Sequence, residues 1–330
     1  MIRRMVKISI PLLILFSGGW YLFHRTEINS FQDAMTLLKE DGNKLMSTIR
    51  NVSFNGSSSS GKETIKIASF DLTDFHDGKL ETTKTAQTLV EILARFDVVA
   101  IQGIQSPDHD ALPRLMDQMR RVDPEFDYVI GPRSSHTALN HQFAFIYNRR
   151  FVELDRSQVY TIQDPDDVIS HDPLVGWFRA KGRFGENESA FTFSLVNIRI
   201  DSTNKSTEHR YLQKIKLAVK ADGHLEDDIL LIGNFEQNSI TLQNQKTLPG
   251  YDYVIRQDTT DLEGQRQLSN IAFPVQGTSE FTGRTGVLDF LTELNLSLED
   301  AQKVSRHLPI WGEFFNREGA ASGYVAGISE

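Results

Sequence analysis

Two short and almost continuously apolar segments restrict the fold more than any other feature of the sequence. Residues 98–101 read Val-Val-Ala-Ile, and residues 229–232 read Ile-Leu-Leu-Ile. Such runs lack the alternation of a half-exposed strand and the spacing of an amphipathic helix, and they are typical of strands that are covered on both faces. The chain is therefore predicted to contain β-sheet that is packed on both sides.

The segments around these two strands alternate between strand-like and helix-like patterns. A strand at residues 65–70 precedes an amphipathic helix at 85–96, a second helix follows around Leu112 and Met119, and a third is expected at 207–221. The strands predicted between the second and third helices have no helices among them and lie at residues 143–147, 159–162, 174–178 and 190–200. This mixture predicts an α/β domain with partly antiparallel sheets, not a simple doubly wound fold.

The N-terminus carries a basic cluster followed by an apolar run. Arg3, Arg4 and Lys7 precede the run at residues 8–23. This pattern is typical of a signal anchor that is retained or a signal peptide that is removed, with a buried helix as the third alternative. Because the basic residues come first, the N-terminus is expected to stay in the cytoplasm and the domain to face outward, periplasmic or extracellular, and secreted if the segment is cleaved.

A flexible segment separates this part of the chain from the rest. Residues 30–50 have apolar side chains at roughly helical spacing, and residues 55–61 read Asn-Gly-Ser-Ser-Ser-Ser-Gly, the composition of a linker. We therefore divide the chain into a membrane segment at 1–25, a stalk helix and linker at 26–62, a folded domain at 63–315 and a C-terminal tail at 316–330.

Composition excludes several kinds of site. The chain has no cysteine, so disulfides, zinc–thiolate centres and cysteine nucleophiles are impossible. The formal net charge of -9 disfavours a general nucleic-acid binder, because the phosphate backbone is repelled unless a local basic patch exists. This charge is compatible with a protein that handles one phosphodiester in a cleft.

Eight motifs follow one another along residues 63–315. They lie at residues 67–71 (Ile-Ala-Ser-Phe-Asp), 96–104, 142–147, 172–175, 195–199, 229–235, 286–290 (Gly-Val-Leu-Asp-Phe) and 305–311 (Ser-Arg-His-Leu-Pro-Ile-Trp). In order and spacing they resemble the DNase I-like group of the endonuclease/exonuclease/phosphatase superfamily. The resemblance implies two packed mixed β-sheets flanked by helices, a four-layer sandwich, preceded here by the membrane segment and stalk. It also implies phosphodiester cleavage with a divalent metal and two histidines.

The resemblance also implies where the metal should be held. Asp71 stands at a metal-site asparagine of the family and still offers oxygen. Gly103 stands at the essential metal-binding glutamate, so the main ligand is absent. Asn234 replaces an aspartate, and Glu236 replaces an asparagine that contacts phosphate. Asp71 and Glu236 remain as a weak candidate metal pair.

The catalytic positions implied by the resemblance are altered as well. Arg199 stands at the first catalytic histidine and cannot exchange protons near neutral pH. His141 falls at the glutamate that supports that histidine. The second histidine is retained as His307, its supporting aspartate falls near Ser269, and the acidic residue before it is Arg306. His307, Arg199, Asn234 and His141 are thus the candidate catalytic residues.

These replacements change the expected charge of the site. Four positions that the resemblance makes acidic carry one positive charge here, that of Arg306, and Arg199 adds another. We expect such a pocket to repel Mg²⁺ and to bind an oxyanion, with Arg199, Arg306, Glu236 and Asn234 as binding residues. The simpler interpretation is that each arginine forms a salt bridge with a neighbour such as Asp71 or Glu236.

Two functional hypotheses stay open from the sequence. The first is a catalytically impaired domain outside the membrane that needs no cofactor, binds a phosphate-bearing ligand and contacts membrane lipid only through its N-terminal segment. The alternative is an active Mg²⁺-dependent phosphodiesterase or nuclease with a rearranged site. His136, His141 and His171 lack the spacing of a metal cluster and are not expected to form one.

Overall fold

The structure is a computed structural model that describes residues 63–319, except for residues 107–109, 134–140, 165, 167 and 186–187. The described residues belong to one compact unit, Ser53–Glu330. The predicted membrane segment, stalk and linker, and the tail from residue 320 onward, lie outside them. Within the described ranges, every helix is too short or too polar to cross a membrane.

The first sheet combines strands from both ends of the domain. Its strand order is β12-β13-β1-β2-β4-β3, with β1 and β2 parallel and the other neighbours antiparallel. The strands are β1 (Thr64–Phe75), β2 (Val98–Ile104), β3 (Phe126–Ile130), β4 (Gln142–Asn148), β12 (Phe281–Val287) and β13 (Ile310–Phe315).

The second sheet is formed by the middle of the chain. Its order is β10-β11-β9-β8-β7-β5, with β6 paired to β7, and only β8 and β9 are parallel neighbours within the described pairings. The strands are β5 (Val152–Leu154), β6 (Tyr160–Thr161), β7 (Leu174–Ala180), β8 (Thr192–Arg199), β9 (Ile229–Asn234), β10 (Tyr251–Tyr253) and β11 (Ser269–Pro274).

Helices flank the sheets. They are α1 (Thr83–Leu93), α2 (Ala111–Val122), α3 (Lys205–Lys220), α4 (Ser239–Asn244), α5 (Phe290–Glu293) and α6 (Leu298–Val304), with 3-10 turns at Asp77–Leu80 and Arg156–Gln158. Helix α3 ends at Lys220, where the next backbone amides bond back into its last turn. Its apolar face, which includes Leu212 and Ile215, packs on the outer face of the second sheet.

One apolar core holds the two sheets together. Phe145 of the first sheet packs against Phe178 of the second with ring centroids 5.4 Å apart, and Phe191 and Phe314 stack at 6.0 Å. Side chains of this size dominate the burial of apolar area, so the contact between sheets is the main source of stability. Both apolar runs, 98–101 and 229–232, are buried on both faces, as the sequence predicts.

The prediction of an α/β fold with two mixed sheets flanked by helices is confirmed. The strand expected at residues 159–162 is reduced to Tyr160–Thr161, because only these residues pair with β7. Strand β13 pairs with β1 and β12 pairs with β13, so residues 281–315 complete the first sheet.

Candidate functional site

Four predicted site positions lie side by side because their strands end at the same edge. Arg199 pairs in register with Asn234 between β8 and β9, and Ser269 pairs with Asn234 between β11 and β9. Asp71 lies in β1 and contacts Arg199 and Asn234 from the other sheet. Next to these residues, the side chain of Gln102 in β2 donates to the side chain of Asn197 in β8 at 2.6 Å, and this hydrogen bond links the two sheets.

Asp71 is the centre of the site. Its carboxylate is 0% exposed and accepts from the Arg199 guanidinium at 3.1 Å and from the Asn234 amide at 3.2 Å, both through Oδ2. Its other oxygen, Oδ1, accepts from the backbone N–H of Thr73 at 3.0 Å. His307 Nε2 lies 3.9 Å from Oδ2. Both carboxylate oxygens are therefore committed to donors of this chain.

These contacts keep Asp71 and Arg199 charged. Burial raises the pKa of the Asp71 carboxyl, but His307, Arg199 and the Asn234 hydrogen bond outweigh it, and the pKa lies well below its usual range. Burial lowers the pKa of Arg199, and the Asp71 carboxylate more than compensates, so that pKa is raised. The pair is a buried salt bridge, which is costly to break on one side only.

The structure leaves no room for a side chain at position 103. Gly103 has a φ of +77°, and a Cβ built on it would lie 2.8 Å from the Thr73 nitrogen and 2.8 Å from Asp71 Oδ1. The register between β1 and β2 shifts after Asp71, where Thr73 and Asp74 adopt positive φ angles of 35° and 58°. The backbone of Thr73 and the Asp71 carboxylate therefore occupy the space that a larger residue at position 103 would need.

An amide lies between the two carboxylates of the candidate metal pair. Asn234 Nδ2 donates to Asp71 Oδ2 at 3.2 Å and to Glu236 Oε1 at 3.0 Å, while Asn234 Oδ1 accepts from the Glu236 backbone N–H. This set of partners fixes the orientation of the amide. Mg²⁺ needs freely available oxygens in octahedral geometry. The residues at this site therefore do not fit a divalent ion.

His307 is held in place without the support expected for a catalytic base. Ser305 Oγ donates to the Asp71 carbonyl oxygen at 2.6 Å and accepts from the His307 backbone N–H at 2.9 Å, which fixes the loop. Among the described residues, His307 Nδ1 and Ser269 Oγ are both buried without a hydrogen-bond partner. Among the described residues, no carboxylate bonds to His307 Nδ1 and orients the imidazole.

Two further histidines border Arg199. His171 Nε2 lies 3.4 Å from Arg199 Nη1, and the rings of His171 and His141 meet edge to face at 4.8 Å. Burial and the Arg199 charge lower the pKa of His141 to about 4 and that of His171 to about 3. Both rings are therefore neutral at pH 7. His171 was not among the predicted site residues, although it directly precedes the recognised motif at 172–175.

Two cations lie at the mouth of the site. Arg306 is exposed, and within the described residues its guanidinium has no ion pair. Lys79 donates to the carbonyl oxygens of Leu72, Thr73 and Val304 at 2.8, 2.5 and 3.1 Å. These hydrogen bonds join the end of β1 to the loop before His307. Burial lowers the pKa of Lys79 to about 8 against the opposing effect of nearby carboxylates.

The charge of the site differs from the sequence-based expectation of a positive pocket. Three cations and three carboxylates lie together: Lys79, Arg199, Arg306, Asp71, Asp74 and Glu236. The expectation omitted Lys79 and Asp74, which the structure places near Asp71 and Arg199. Arg199 forms the salt bridge with Asp71, as in the simpler of the two sequence-based interpretations.

The fold is similar to that of several solved structures. An endonuclease/exonuclease/phosphatase from Bacteroides vulgatus superposes with a TM-score of 0.51 at 12% identity, covering 76% of this chain and 98% of that chain. A humanized D. rerio TDP2 superposes with a TM-score of 0.55 at 12% identity, covering 77% of this chain and 99% of that chain. The human nocturnin catalytic domain with bound sulfate superposes with a TM-score of 0.51 at 12% identity, covering 76% and 93%.

In sequence, the chain resembles the DNase I-like group of the endonuclease/exonuclease/phosphatase superfamily. Deoxyribonuclease-1-like 1 of Chlorocebus aethiops is 24% identical over 263 residues, which cover 76% of this chain and 84% of that protein. Deoxyribonuclease gamma of Rattus norvegicus is 24% identical over 267 residues with the same coverage. No family model matches the sequence.

Proposed function

We propose that this domain has lost metal-dependent phosphodiesterase chemistry and serves as a binding module for a phosphate-bearing ligand. The observation that carries the proposal is the Asp71 carboxylate, which is neutralised by Arg199 and bonded through both oxygens. A metal would have to displace the guanidinium and the Asn234 amide, and the released Arg199 charge would repel it. His307 then has neither a metal-activated water nor a carboxylate to act with.

The residues that remain available suit an oxyanion. The exposed Arg306 guanidinium presents a donor fork that matches phosphate, and Arg199 keeps 21% of its side chain exposed at the cleft. The balanced charge favours a single phosphate group over a long polyanion, since the whole chain is acidic. In this proposal residues 1–25 tether the domain outside the cytoplasmic membrane, supported by the basic cluster that precedes the apolar run.

A binding measurement in EDTA tests the proposal. Inorganic phosphate and a nucleoside monophosphate are titrated into the protein by calorimetry, and Arg306→Ala is expected to weaken binding about tenfold or more. Arg179→Ala is the matched control, because Arg179 is also exposed but lies at the end of the β7–β8 pair away from Arg199. Absence of binding, or equal binding by both variants, contradicts the proposal.

The alternative is an active phosphodiesterase with a rearranged site. Retention of His307 within 3.9 Å of Asp71 and the similarity to deoxyribonucleases favour it. Hydrolysis of bis(p-nitrophenyl) phosphate with Mg²⁺, with EDTA and with His307→Ala separates the two. We expect wild type and His307→Ala to be equally inactive. Turnover that both EDTA and the substitution abolish would establish the alternative.

A further inference from the structure

A second polar cluster lies at the opposite edge of the two sheets. Asp228 precedes β9, whose last residue is Asn234, so the length of the strand separates it from the site by about 20 Å. Glu280 precedes β12, and Glu318 follows β13. One ligand oxygen from each of Asp228, Glu280 and Glu318 lies within 4.8 Å of the others. The cluster therefore joins residues attached to both sheets.

These carboxylates are buried without counter-charge. Asp228 is 2% exposed and Glu280 is 1% exposed, and none of the salt bridges in the described ranges involves either of them or Glu318. Glu226, whose oxygens accept from the Asp228 backbone N–H and the Trp177 indole, adds a further negative charge beside them. Burial of several carboxylates together is strongly unfavourable unless a proton or a cation neutralises them.

Unsatisfied oxygens point to a ligand. Asp228 Oδ1, Glu280 Oε2 and Thr278 Oγ1 are buried and have no hydrogen-bond partner among the described residues. The other Glu280 oxygen accepts from the Gly319 backbone N–H at 2.6 Å, and Glu318 Oε1 accepts from Thr192 at 2.7 Å. Glu280 and Glu318 are thus each held through one oxygen, while Asp228 Oδ1 and Glu280 Oε2 have no hydrogen bond among the described residues.

We propose that Asp228, Glu280 and Glu318 form a calcium-binding site that links the two sheets at the edge opposite Asp71. Calcium–oxygen distances of about 2.3–2.6 Å place two ligand oxygens up to about 5 Å apart across the ion, which matches the separations in the cluster. Ca²⁺ accepts six to eight oxygens in irregular geometry, whereas Mg²⁺ requires an octahedral set and retains its waters. Thr278 Oγ1 supplies a neutral fourth oxygen.

The electrostatics support this assignment. Burial raises the pKa of Asp228 to about 8, the nearby Thr278 hydroxyl opposes this effect, and the Glu280 and Glu226 carboxylates add to it. Burial and the same neighbouring carboxylates raise the pKa of Glu318. A divalent ion bound between the carboxylates removes the repulsion between them.

Thermal unfolding of the full chain in EDTA and in CaCl₂ tests the site. We expect Ca²⁺ at about 100 times its Kd to raise the Tm by about 5–10 °C. Glu280→Gln is expected to raise the Tm of the calcium-free protein, because it removes a buried carboxylate from the cluster. Both Glu280→Gln and Asp228→Asn are expected to weaken calcium binding at least tenfold. Glu188→Gln is the control, since Glu188 is paired with Arg317 outside the cluster.

A spectroscopic measurement locates the ion. Trp177 donates to Glu226 at 3.0 Å, so bound Tb³⁺ is expected to show tryptophan-sensitised emission that Ca²⁺ displaces. Trp177→Phe should abolish the emission and preserve the calcium-dependent Tm shift. An equal Tm in EDTA and CaCl₂, or a calcium response that survives Glu280→Gln, overturns the proposal. These results do not depend on phosphate binding at the other edge, so the two proposals fail separately.

Discussion

The two edges of the sandwich use carboxylates in opposite ways. At one edge, Asp71 is surrounded by Arg199, the Asn234 amide and the Thr73 backbone, and both its oxygens are bonded. At the other edge, Asp228 and Glu280 keep unbonded oxygens and have no salt bridge among the described residues. The carboxylate at the Asp71 edge is neutralised by its neighbours, whereas the carboxylates at the Asp228 edge have no counter-charge among the described residues.

This difference shows that the number of acidic residues does not define a metal site. A carboxylate binds a cation only when its lone pairs are free and its neighbours do not already supply positive charge. By this criterion the Asp71 site is closed to divalent ions and the Asp228 cluster is open to them.

The largest effect is expected from removing the internal counter-charge of Asp71. Arg199→Ala leaves a fully buried carboxylate unpaired, which we expect to lower the free energy of unfolding by about 3–5 kcal/mol. Urea denaturation measures the loss. The double variant Asp71→Asn/Arg199→Met should recover most of it. A loss below about 1 kcal/mol for Arg199→Ala would show that the pair contributes little.

The histidine pair gives an effect of intermediate size on acidification. The pKa values of His141 and His171 are lowered to about 4 and about 3 in the folded protein, below about 6.5 in the unfolded chain. Their contribution to stability is complete above pH 6.5 and is lost as the pH falls toward the folded pKa values.

The measurement for this pair is a difference between proteins. Buried acids such as Glu208, whose pKa is raised, change stability in the opposite direction over the same pH window. We therefore compare wild type with His141→Gln/His171→Gln in urea at pH 7 and pH 4.5, with the exposed His76→Gln as control. Equal losses on acidification for wild type and the double variant would contradict the assignment.

A smaller effect is expected from the glycine that replaces the metal glutamate. Gly103→Ala places a Cβ against Thr73 and requires a positive φ, and we expect a loss of about 2 kcal/mol or more. Gly250→Ala is matched to it, because Gly250 has a φ of +81° but no atom within 4 Å of the added Cβ. The difference between the two unfolding free energies isolates the contact. Equal losses would mean that the space at Gly103 is open.

A substitution at the Asp71 edge is expected to have no effect on calcium binding at the opposite edge. Asp71→Asn should leave the calcium-dependent rise in Tm unchanged within error, whereas Glu280→Gln should remove it. Differential scanning calorimetry with and without CaCl₂ measures both. A smaller calcium-dependent rise in Tm for Asp71→Asn would show that the cation binds at the Asp71 edge, which contradicts the proposal.

The fold was largely predictable from the sequence, and the site only in part. The apolar runs at 98–101 and 229–232 and the amphipathic spacing at 85–96 report local burial, and local burial is what a sequence pattern encodes. The resemblance, not the apolar pattern, placed Asp71, Arg199 and Asn234 in one site, and the structure brings these three residues into contact. The short strands β5 and β6 were missed or overextended because pairing with β7, not their own pattern, determines them.

The set of charged residues around the site could not be predicted from the sequence pattern. Asp74 and Lys79 lie near Asp71 and Arg199, beside a register shift between β1 and β2 where Thr73 and Asp74 have positive φ angles. His171 reaches Arg199 from a loop whose path depends on the second sheet. The Asp228 cluster combines residues that are 90 positions apart in sequence, Asp228 and Glu318, so only the closed sandwich reveals it.

The backbone of Thr73 beside Gly103 has a consequence for any attempt to install hydrolysis in this scaffold. A glutamate introduced at position 103 collides with the chain before it reaches an ion, and removal of Arg199 alone destabilises the protein. A carboxylate side chain at position 103 therefore requires that residues 72–74, 103 and 199 be exchanged together.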